Sequence, residues 1–456
     1  MIAAISPAAL AERCGGRWHP EGESSFLSGL ALDSRKIAPG DLFVAIPGAK
    51  VDGHDYVAAA QRQGAAAALV NRHVSLPIPQ IVAENTELAL AEFAAMVREH
   101  YHGVLVGVTG SAGKTTAKNM LQAVLGRAGV TLATEGNFNN ELGVPLTLAG
   151  LTPDTEFAVL ELAAGKPGDI AHLCAFVRPT VAVLLNVAPA HLAHYDSLDA
   201  IADTKGAILD GLPDNGLAVV NGDQPWSARW CERVRHARCV TFGLGSDNDY
   251  RAEQIVSGGF SGSSFLVTGP RGKTRVEVSV PGRQGVCNAL AAVAVACELG
   301  VSHDAVTVGL AAVRAGSGRG EIHALANGCR LVDDSYNANP LAVGAAIEVL
   351  ADESGRRRLV LGAMLELGVD SDDLHREVGA IAREKGVEEL WVVGSAAAPA
   401  LAGFGHERAR YFASNAELLE FAPRATGADV ILIKGSRATQ LEQIVAAWTG
   451  RGANPC

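Results

Sequence analysis

A glycine-rich segment that ends in a lysine and two threonines is the clearest sign of chemistry in the chain. It comprises Thr109, Gly110, Ser111, Ala112, Gly113, Lys114, Thr115 and Thr116. Glycines let backbone N–H groups converge on phosphate oxygens, while the lysine can reach the β- and γ-phosphates and a threonine hydroxyl can bind Mg²⁺. The spacing is G-x-x-G-K-T, with Val108 where the common pattern has glycine. We predict an ATP site here, although kinases, GTPases, motors and ligases all use such loops.

Three further side chains could act beside this loop. Glu161 ends an apolar strand, where a carboxylate is costly unless it is paired or bound to a metal. His191 follows the next apolar strand, at the strand end where α/β proteins bind ligands, although a lone histidine is more often a core or surface residue. Lys205, taken alone, has the pattern of a solvated helix lysine.

The elements that must position these residues form an α/β pattern in three blocks. An all-apolar strand (104–108) runs straight into the glycine loop, and further apolar strands alternate with helical stretches. Such alternation is typical of a parallel sheet covered on both faces. A Gly/Ser-rich stretch at 250–280 favours antiparallel strands instead. We predict a small N-terminal α/β domain (1–83), a central P-loop parallel-sheet domain (84–314) and a C-terminal Rossmann-like domain (315–456), with a hinge near Ala315–Gly318.

Composition limits the remaining possibilities. A chain of 456 residues exceeds what one core usually supports, and its 38 basic against 49 acidic residues, without a basic stripe, argue against a nucleic-acid partner. Eight scattered cysteines without a C-x-x-C pair favour reduced thiols over disulfides or zinc. The N-terminus lacks the features of a signal peptide, and no apolar run suggests membrane insertion. We therefore expect a cytoplasmic protein.

Many short motifs, in one order along the chain, are similar to those of the Mur ligase family of cell-wall precursor enzymes. Besides the tight phosphate loop, they are 33–35 (DSR), 39–45 (PGDLFVA), 134–140 (TEGNFNN), 143–146 (GVPL), 161–168 (ELAAGKPG), 186–191 (NVAPAH), 333–340 (DDSYNANP), 364–368 (MLELG) and 434–437 (KGSR). The resemblance covers nearly all of the chain. Within the family it is strongest to the branch that joins D-alanyl-D-alanine to UDP-MurNAc-tripeptide.

That resemblance implies an ATP-dependent amide-bond ligase. ATP would phosphorylate the terminal carboxylate of UDP-MurNAc-tripeptide, and the amine of D-Ala-D-Ala would attack the acyl phosphate, giving UDP-MurNAc-pentapeptide, ADP and phosphate. It also implies two Mg²⁺ sites, held by Thr115, Glu161, His191 and a carbamylated Lys205. We expect a monomer.

The resemblance extends to residues that contact nucleotide and substrates. Arg319 and Asp334 correspond to residues that handle ATP after domain closure, and Asn288 to one near the adenine. For the substrates, the implied residues are Ser34, Arg35, Asn137, Asn139, Asn140, Asn337, Asn339 and Lys434. For Asn337 and Asn339, Asx turns are an alternative explanation. Arg437, like Lys434, is a candidate for neutralising a phosphate or a substrate carboxylate, and a solvated surface position explains Arg437 nearly as well.

Several positions depart from the family pattern. Gln284 and Gly285 stand where the pattern P-G-R-H-N-x-x-N-A has His and Asn, Ala363 replaces an Asp, and Leu341 begins the pair that replaces Asp-Ser. These departures concern the ATP and dipeptide pockets, whereas the phosphate loop and the proposed metal ligands are retained.

Two other functions are compatible with the loop. A sister ligase acting on a diamino acid or on folate would share the loop but not the DDSYNANP run. A nucleotide-switch protein would need no second metal ligand. The sequence leaves open whether the accepted tripeptide carries diaminopimelate or lysine.

Overall fold

The computed structural model describes residues 1–20, 25–48, 50–189, 194–421 and 429–450, arranged around three β-sheets in chain order. The predicted three-domain α/β architecture is confirmed. Each sheet is mainly parallel and has helices packed against it. No helix within the described ranges is long and apolar enough to cross a bilayer.

The first sheet has five strands in the order β1-β5-β4-β3-β2. Only the β1–β5 pair is antiparallel. The strands are β1 (Arg17–His19), β2 (Gly29–Ala31), β3 (Asp41–Val44), β4 (Ala67–Val70) and β5 (Gln80–Val82), and the helices are α1 (Pro7–Arg13) and α2 (Val57–Arg62). All four residues of β3 and of β4 are buried, which explains the apolar sequence of β4 and of the last three residues of β3. The first residue of β3, Asp41, is also buried, and its Oδ2 accepts from the Ala38 N–H at 2.8 Å.

The central sheet has nine strands in the order β14-β13-β12-β11-β10-β9-β6-β8-β7. Its strands are β6 (Val104–Thr109), β7 (Thr131–Ala133), β8 (Phe157–Glu161), β9 (Val181–Leu184), β10 (Leu217–Asn221), β11 (Arg238–Gly243), β12 (Tyr250–Ser257), β13 (Ser263–Gly269) and β14 (Gly272–Val278). Strands β12 to β14 pair antiparallel, as predicted for 250–280, and the others pair parallel.

Within the described residues, eight α-helices accompany this sheet. They are α3 (Thr86–Glu99), α4 (Lys114–Leu125), α5 (Gly143–Ala149), α6 (Asp169–Val177), α7 (Leu198–Gly206), α8 (Ser227–Arg233), α9 (Gly282–Glu298) and α10 (His303–Ala312). Helix α9 contains the alanine-rich run predicted as a buried helix, and it packs against α4. Strand β6 lies between β8 and β9, so the sheet order reverses at β6. The carboxyl ends of strands at such a switch point form a natural ligand crevice.

The third sheet has six strands in the order β15-β16-β20-β17-β18-β19, and only the β15–β16 pair is antiparallel. The strands are β15 (Glu321–Ala324), β16 (Arg330–Asp334), β17 (Arg356–Leu361), β18 (Glu389–Val393), β19 (Ala409–Phe412) and β20 (Asp429–Lys434). The helices are α11 (Pro340–Ala351), α12 (Ser371–Glu384), α13 (Pro399–Phe404), α14 (Asn415–Glu420) and α15 (Glu442–Thr449). The predicted hinge lies between α10 and β15, where Gly318 and Gly320 adopt positive φ angles of 69° and 85°.

Candidate functional site

The glycine loop lies between the carboxyl end of β6 and the start of α4. Gly113 immediately precedes the helix and has a φ angle of 82°, a conformation that is unfavourable for residues other than glycine. A Cβ atom on Gly113 would lie 2.7 Å from Oδ1 of Asn288, so the close approach of α9 also requires glycine here. The loop thus presents backbone N–H groups beside a helix N-terminus, the arrangement that binds phosphate.

Asn186, just beyond β9, holds the loop in shape. Its Oδ1 accepts from the Ala112 N–H at 2.9 Å, its Nδ2 donates to the Ala112 carbonyl at 2.9 Å, and its own carbonyl accepts from the Ser111 N–H at 2.9 Å. These three hydrogen bonds join segments more than 70 residues apart. The loop is therefore fixed by the sheet before any ligand binds.

Glu161 is buried at the end of β8, beside Val108 of β6. Its Oε2 accepts from the Thr115 hydroxyl at 2.8 Å, and its Oε1 accepts from Nδ2 of Asn139 at 2.8 Å. A carboxylate, a hydroxyl and an amide within one small space are the hard oxygen donors that Mg²⁺ prefers, so this donor set fits that ion. The structure brings together three residues that the sequence analysis had assigned to the site.

Two lysines lie within electrostatic reach of each other in this region. Burial lowers the pKa of Lys114, with Arg319 acting in the same direction and Glu161 opposing it. Its Nζ donates to the Gly110 carbonyl at 2.9 Å. Lys205, on α7, is 3 % exposed, and burial together with the nearby Lys114 charge lowers its pKa to about 7. Lys205 is therefore not the solvated lysine that its local sequence suggests.

The third domain contributes a charged cluster that faces the glycine loop. Asp334 on β16 and Lys434 on β20 are register partners, and Nζ of Lys434 donates to Oδ2 of Asp334 at 2.5 Å. Burial raises the pKa of Asp334, and the Lys434 ammonium opposes that rise. The guanidinium of Arg319 lies 4.0 Å from the centroid of the Tyr336 ring, a cation–π contact.

Residues of the central and third domains together line one cleft of about 400 Å³. Its polar part includes Ser111–Thr116, Asn137, Asn139, Glu161, Asn288, Arg319, Asp334, Asn337, Asn339 and Lys434. Its apolar part includes Phe260, Val280 and Val349. A cleft lined by both charged and apolar side chains suits a ligand that has a phosphate chain and a ring system.

Two of the departures from the family pattern, Gln284 and Gly285, also line this cleft. A Cβ atom on Gly285 would lie 2.4 Å from the carbonyl oxygen of Val280, so the local backbone admits no side chain there. Ala363 is buried and its carbonyl accepts from the Ser436 N–H at 2.9 Å, while Leu341 is 40 % exposed in the first turn of α11.

Several predicted site residues have structural contacts of their own. Oδ1 of Asn140 accepts from the Gly143 N–H at 3.0 Å at the start of α5, and Oδ1 of Asn339 accepts from the Ala342 N–H at 2.8 Å as the N-cap of α11. Oδ1 of Asn337 accepts from the Ala338 N–H at 2.9 Å. Asn339 is therefore a helix N-cap, whereas the Asn337 side chain contacts the next residue, so neither contact is an Asx turn. Both residues line the cleft.

Ser34 and Arg35 lie in the first domain, in a short helical turn, and Arg35 pairs with Asp33 at 2.7 Å. Neither lines the described part of the cleft. His191 falls in the segment 190–193, outside the described residues. Its predicted role as a metal ligand stays a prediction.

Sequence patterns alone do not single out Asn186, Tyr336, Phe260 or Val349 as site residues. Asn186 belongs to the motif at 186–191 and Tyr336 to the motif at 333–340. The motifs therefore mark both positions but do not indicate what either side chain does. Phe260 and Val349 come from an apolar background with no distinguishing pattern. Only the packing of α11 near the 3-10 turn after β12 brings them to the cleft.

Three family models match the chain in order. They are the Mur ligase family catalytic domain at 27–108, the Mur ligase middle domain at 108–296 and the Mur ligase glutamate ligase domain at 318–437. A similar curated protein is the UDP-N-acetylmuramoyl-tripeptide–D-alanyl-D-alanine ligase of Escherichia coli (strain K12). It is 38% identical over 438 residues, covering 95% of this chain and 96% of that protein.

Solved structures agree with these matches. A crystal structure of MurF from Acinetobacter baumannii superposes with a TM-score of 0.91 at 32% identity, covering 98% of this chain and 99% of the other. The MurF ligase of Thermotoga maritima, solved in complex with ADP, gives a TM-score of 0.82 at 30% identity and covers 93% of this chain and 97% of the other.

Proposed function

Because the chain belongs to the Mur ligase family, we propose that its cleft joins D-alanyl-D-alanine to UDP-MurNAc-tripeptide at the expense of ATP. The products are UDP-MurNAc-pentapeptide, ADP and phosphate, so the enzyme serves peptidoglycan precursor synthesis. The names of full-length relatives and the MurF structures support this assignment. The observation that carries it in the chain itself is the contact of Glu161 with Thr115, in a cleft closed on its other side by Arg319, Asp334 and Lys434.

A carboxylate is a poor electrophile because its leaving group would be oxide. Transfer of the γ-phosphoryl group to the tripeptide carboxylate gives an acyl phosphate, whose leaving group is phosphate. The amine of the dipeptide then attacks the carbonyl carbon, the C–O bond to phosphate breaks, and the amine loses a proton. Phosphoryl transfer requires the carboxylate and the γ-phosphate, which are both negatively charged and repel each other, to come together.

The residues of the loop can offset this repulsion between the two anions. The N–H groups between Ser111 and Thr116 would hold the phosphate oxygens, and Lys114 would neutralise charge at the β- and γ-phosphates. Its low pKa is compatible with this role, because an anionic ligand beside the ammonium would favour the protonated form. Thr109, buried with its hydroxyl donating to the Leu162 carbonyl at 2.9 Å, fixes the start of the loop.

We assign one Mg²⁺ to Thr115 and Glu161, and a second to His191 and Lys205. Bound there, Mg²⁺ would supply positive charge between the two anions. Asn139 orients Glu161 through its amide. The support for the first assignment is the oxygen donor set described above; the second depends on the family resemblance.

Lys205 suits carbamylation because its pKa of about 7 leaves much of the amine neutral near neutral pH. The neutral amine adds to CO₂, forms a C–N bond and releases one proton, which converts a cationic side chain into an anionic one. A bare ammonium would repel a metal ion, whereas the carbamate would attract it. The family resemblance suggests this assignment, and the burial of Lys205 beside the Lys114 charge, an effect that Asp169 opposes less strongly, supports it.

The third domain would complete the site. We assign Arg319 and Asp334 to ATP, with Asn288 and the apolar part of the cleft near the base. Gln284 and Gly285 shape that end, so base affinity should differ from that of relatives with His and Asn. For the substrates we assign Asn137, Asn139, Asn140, Asn337, Asn339 and Lys434 to the peptides and Ser34 and Arg35 to the UDP-sugar.

The domain limits 1–83, 84–314 and 315–456 remain our proposal, as does action as a cytoplasmic monomer. A single chain supplies both sides of the cleft, which supports a monomer.

A phosphate-release assay tests the function. With ATP, Mg²⁺, UDP-MurNAc-tripeptide and D-Ala-D-Ala all present, phosphate should appear at a rate that falls to background when any one of them is omitted. Glu161→Gln should lose most of the rate, while the control Glu232→Gln, at an exposed position of the same domain, should retain it. Phosphate release that does not depend on the dipeptide would instead favour the nucleotide-switch alternative.

A further inference from the structure

An acidic pair and a histidine meet on β15 and β16, at the edge of the third sheet. Glu321 and His323 lie two residues apart on β15, and Glu321 is the register partner of Asp333 on β16. Residues i and i+2 of a strand, and directly opposed residues of an antiparallel pair, project from the same face of a sheet. Pairing of the two strands therefore places all three side chains together.

The ligand atoms of these side chains have nearly the spacing that one metal ion requires. One donor atom from each side chain lies within 4.8 Å of the other two, and Nε2 of His323 is 3.8 Å from Oε1 of Glu321. Donors around a single ion at about 2.1 Å are roughly 3–4 Å apart. Side-chain movements of about 1 Å would complete the coordination.

The histidine itself points to a ligand. His323 is 9 % exposed, and within the described residues its Nε2 is buried with no hydrogen-bond partner. A buried imidazole nitrogen without a partner is unfavourable, and a metal ion would satisfy it. This observation is independent of the acidic residues around it.

Hydrogen bonds orient the Asp333 carboxylate, as is common for carboxylates that bind metal ions. It is 5 % exposed, and its Oδ1 accepts from the N–H of Ser335 at 3.1 Å and from its hydroxyl at 2.6 Å. Such outer hydrogen bonds orient a ligating carboxylate. The main chain around it is also tied to the hinge, because the Gly320 N–H donates to the Asp333 carbonyl at 2.8 Å.

We propose that Glu321, His323 and Asp333 form a binding site for a divalent first-row transition metal. One imidazole and two carboxylates suit Zn²⁺, Mn²⁺, Fe²⁺ or Co²⁺, whereas Mg²⁺ and Ca²⁺ prefer oxygen donors alone. Three protein ligands leave a position for water. Successive side chains of β16 point to opposite faces, so this site lies across the sheet from Asp334 and is distinct from the ATP cleft.

Metal bound here would fasten the short edge strand β15 to β16. Strand β15 has four residues and pairs only with β16 among the described strands. Arg319 stands two residues before it, so the ion would also restrict the hinge that carries Arg319. The consequence is a metal-dependent stability of the third domain that does not require substrate.

The test uses the full-length protein, stripped with EDTA, desalted and then titrated with Zn²⁺ in excess Mg²⁺. Mg²⁺ would occupy the proposed oxygen site near Glu161 but competes poorly for an imidazole. Bound zinc is measured by elemental analysis after rapid desalting, and Tm by differential scanning calorimetry. After titration, the wild type should hold about one more equivalent of zinc than the stripped protein, and its Tm should be higher. Co²⁺ should give a visible absorption band.

Glu321→Gln and His323→Gln should each weaken zinc binding by about tenfold or more and remove the Tm shift. The control His406→Gln, in the same domain but outside the cluster, should bind zinc like the wild type. Glu321, whose side chain is 34 % exposed, provides a variant that folds even if the buried histidine cannot be replaced. Failure of the wild type to retain zinc, or wild-type zinc affinity in Glu321→Gln, would overturn the proposal.

Discussion

Replacing Lys205 by methionine should make the protein more stable while it abolishes catalysis. The buried ammonium is unfavourable in the folded chain, because its pKa falls from 10.5 to about 7. Methionine has a similar length and carries no charge. The proposed reaction therefore needs a side chain that, when it is not carbamylated, lowers the stability of the folded chain.

The magnitude follows from proton linkage. Between pH 7 and 10.5 the unfolded chain binds more protons at Lys205 than the folded chain, so the free energy of unfolding rises with pH across this window. The penalty is about 4 kcal/mol at pH 7 and about 2 kcal/mol at pH 9, taking about 1.4 kcal/mol for each unit of pKa. In Lys205→Met that penalty and its pH dependence should both disappear.

Urea unfolding in CO₂-free buffer at pH 7 and pH 9 measures this effect, with fluorescence as the signal. The control is Lys166→Met, because Lys166 is an exposed lysine of the same domain. We expect Lys205→Met to be more stable than the wild type at pH 7, by a margin that shrinks by about half at pH 9. A variant less stable than the wild type at pH 7, or a margin that does not change with pH, would refute the reasoning.

The catalytic half of the prediction uses Lys205→Ala. We expect no measurable ligation, and partial recovery when a small carboxylate such as acetate is added, since it could occupy the place of the carbamate. Full activity of the alanine variant without any addition would show that Lys205 is not a ligand.

Three further outcomes are expected. Gly113→Ala should reduce kcat/KM by at least about tenfold in the phosphate-release assay, because the new Cβ would meet Asn288 and the positive φ would be strained; wild-type kinetics would contradict this. Lys434→Met should destabilise the third domain by about 2 kcal/mol in urea unfolding, since it leaves the partly buried Asp334 carboxylate on β16 without its charged hydrogen-bond donor. An unchanged unfolding curve would be inconsistent with that pairing. Cys231 and Cys239, whose Sγ atoms lie 2.9 Å apart, should form a disulfide when diamide is added as the oxidant, detected by mass spectrometry of peptides; linkage only between other cysteines would contradict the observed proximity.

The sequence predicted best what depends on short stretches of chain. The apolar strand before the loop, the glycine spacing and the lysine are contiguous, so both β6 and the start of α4 could be located. Glu161 was found because a carboxylate at the end of an apolar strand is unusual. The three-domain α/β architecture followed from the alternation of apolar strands and helices.

What the sequence missed depends on contacts between distant segments. Asn186 fixes the loop from 74 positions away, and nothing local indicates that partner. Lys205 resembles an exposed helix lysine until α7 is packed. Gly285 appeared as a loss of the usual Asn, and only the close approach of the Val280 carbonyl explains why glycine stands there.

The most direct test of the account follows oxygen atoms through one turnover. UDP-MurNAc-tripeptide labelled with ¹⁸O in its terminal carboxylate is converted with unlabelled ATP and D-Ala-D-Ala, and the released phosphate is analysed by mass spectrometry. Transfer of the phosphoryl group to the carboxylate requires that each phosphate leave with one carboxylate oxygen. We predict one ¹⁸O in each phosphate and one in the new amide carbonyl; phosphate without ¹⁸O would contradict carboxylate activation in this cleft.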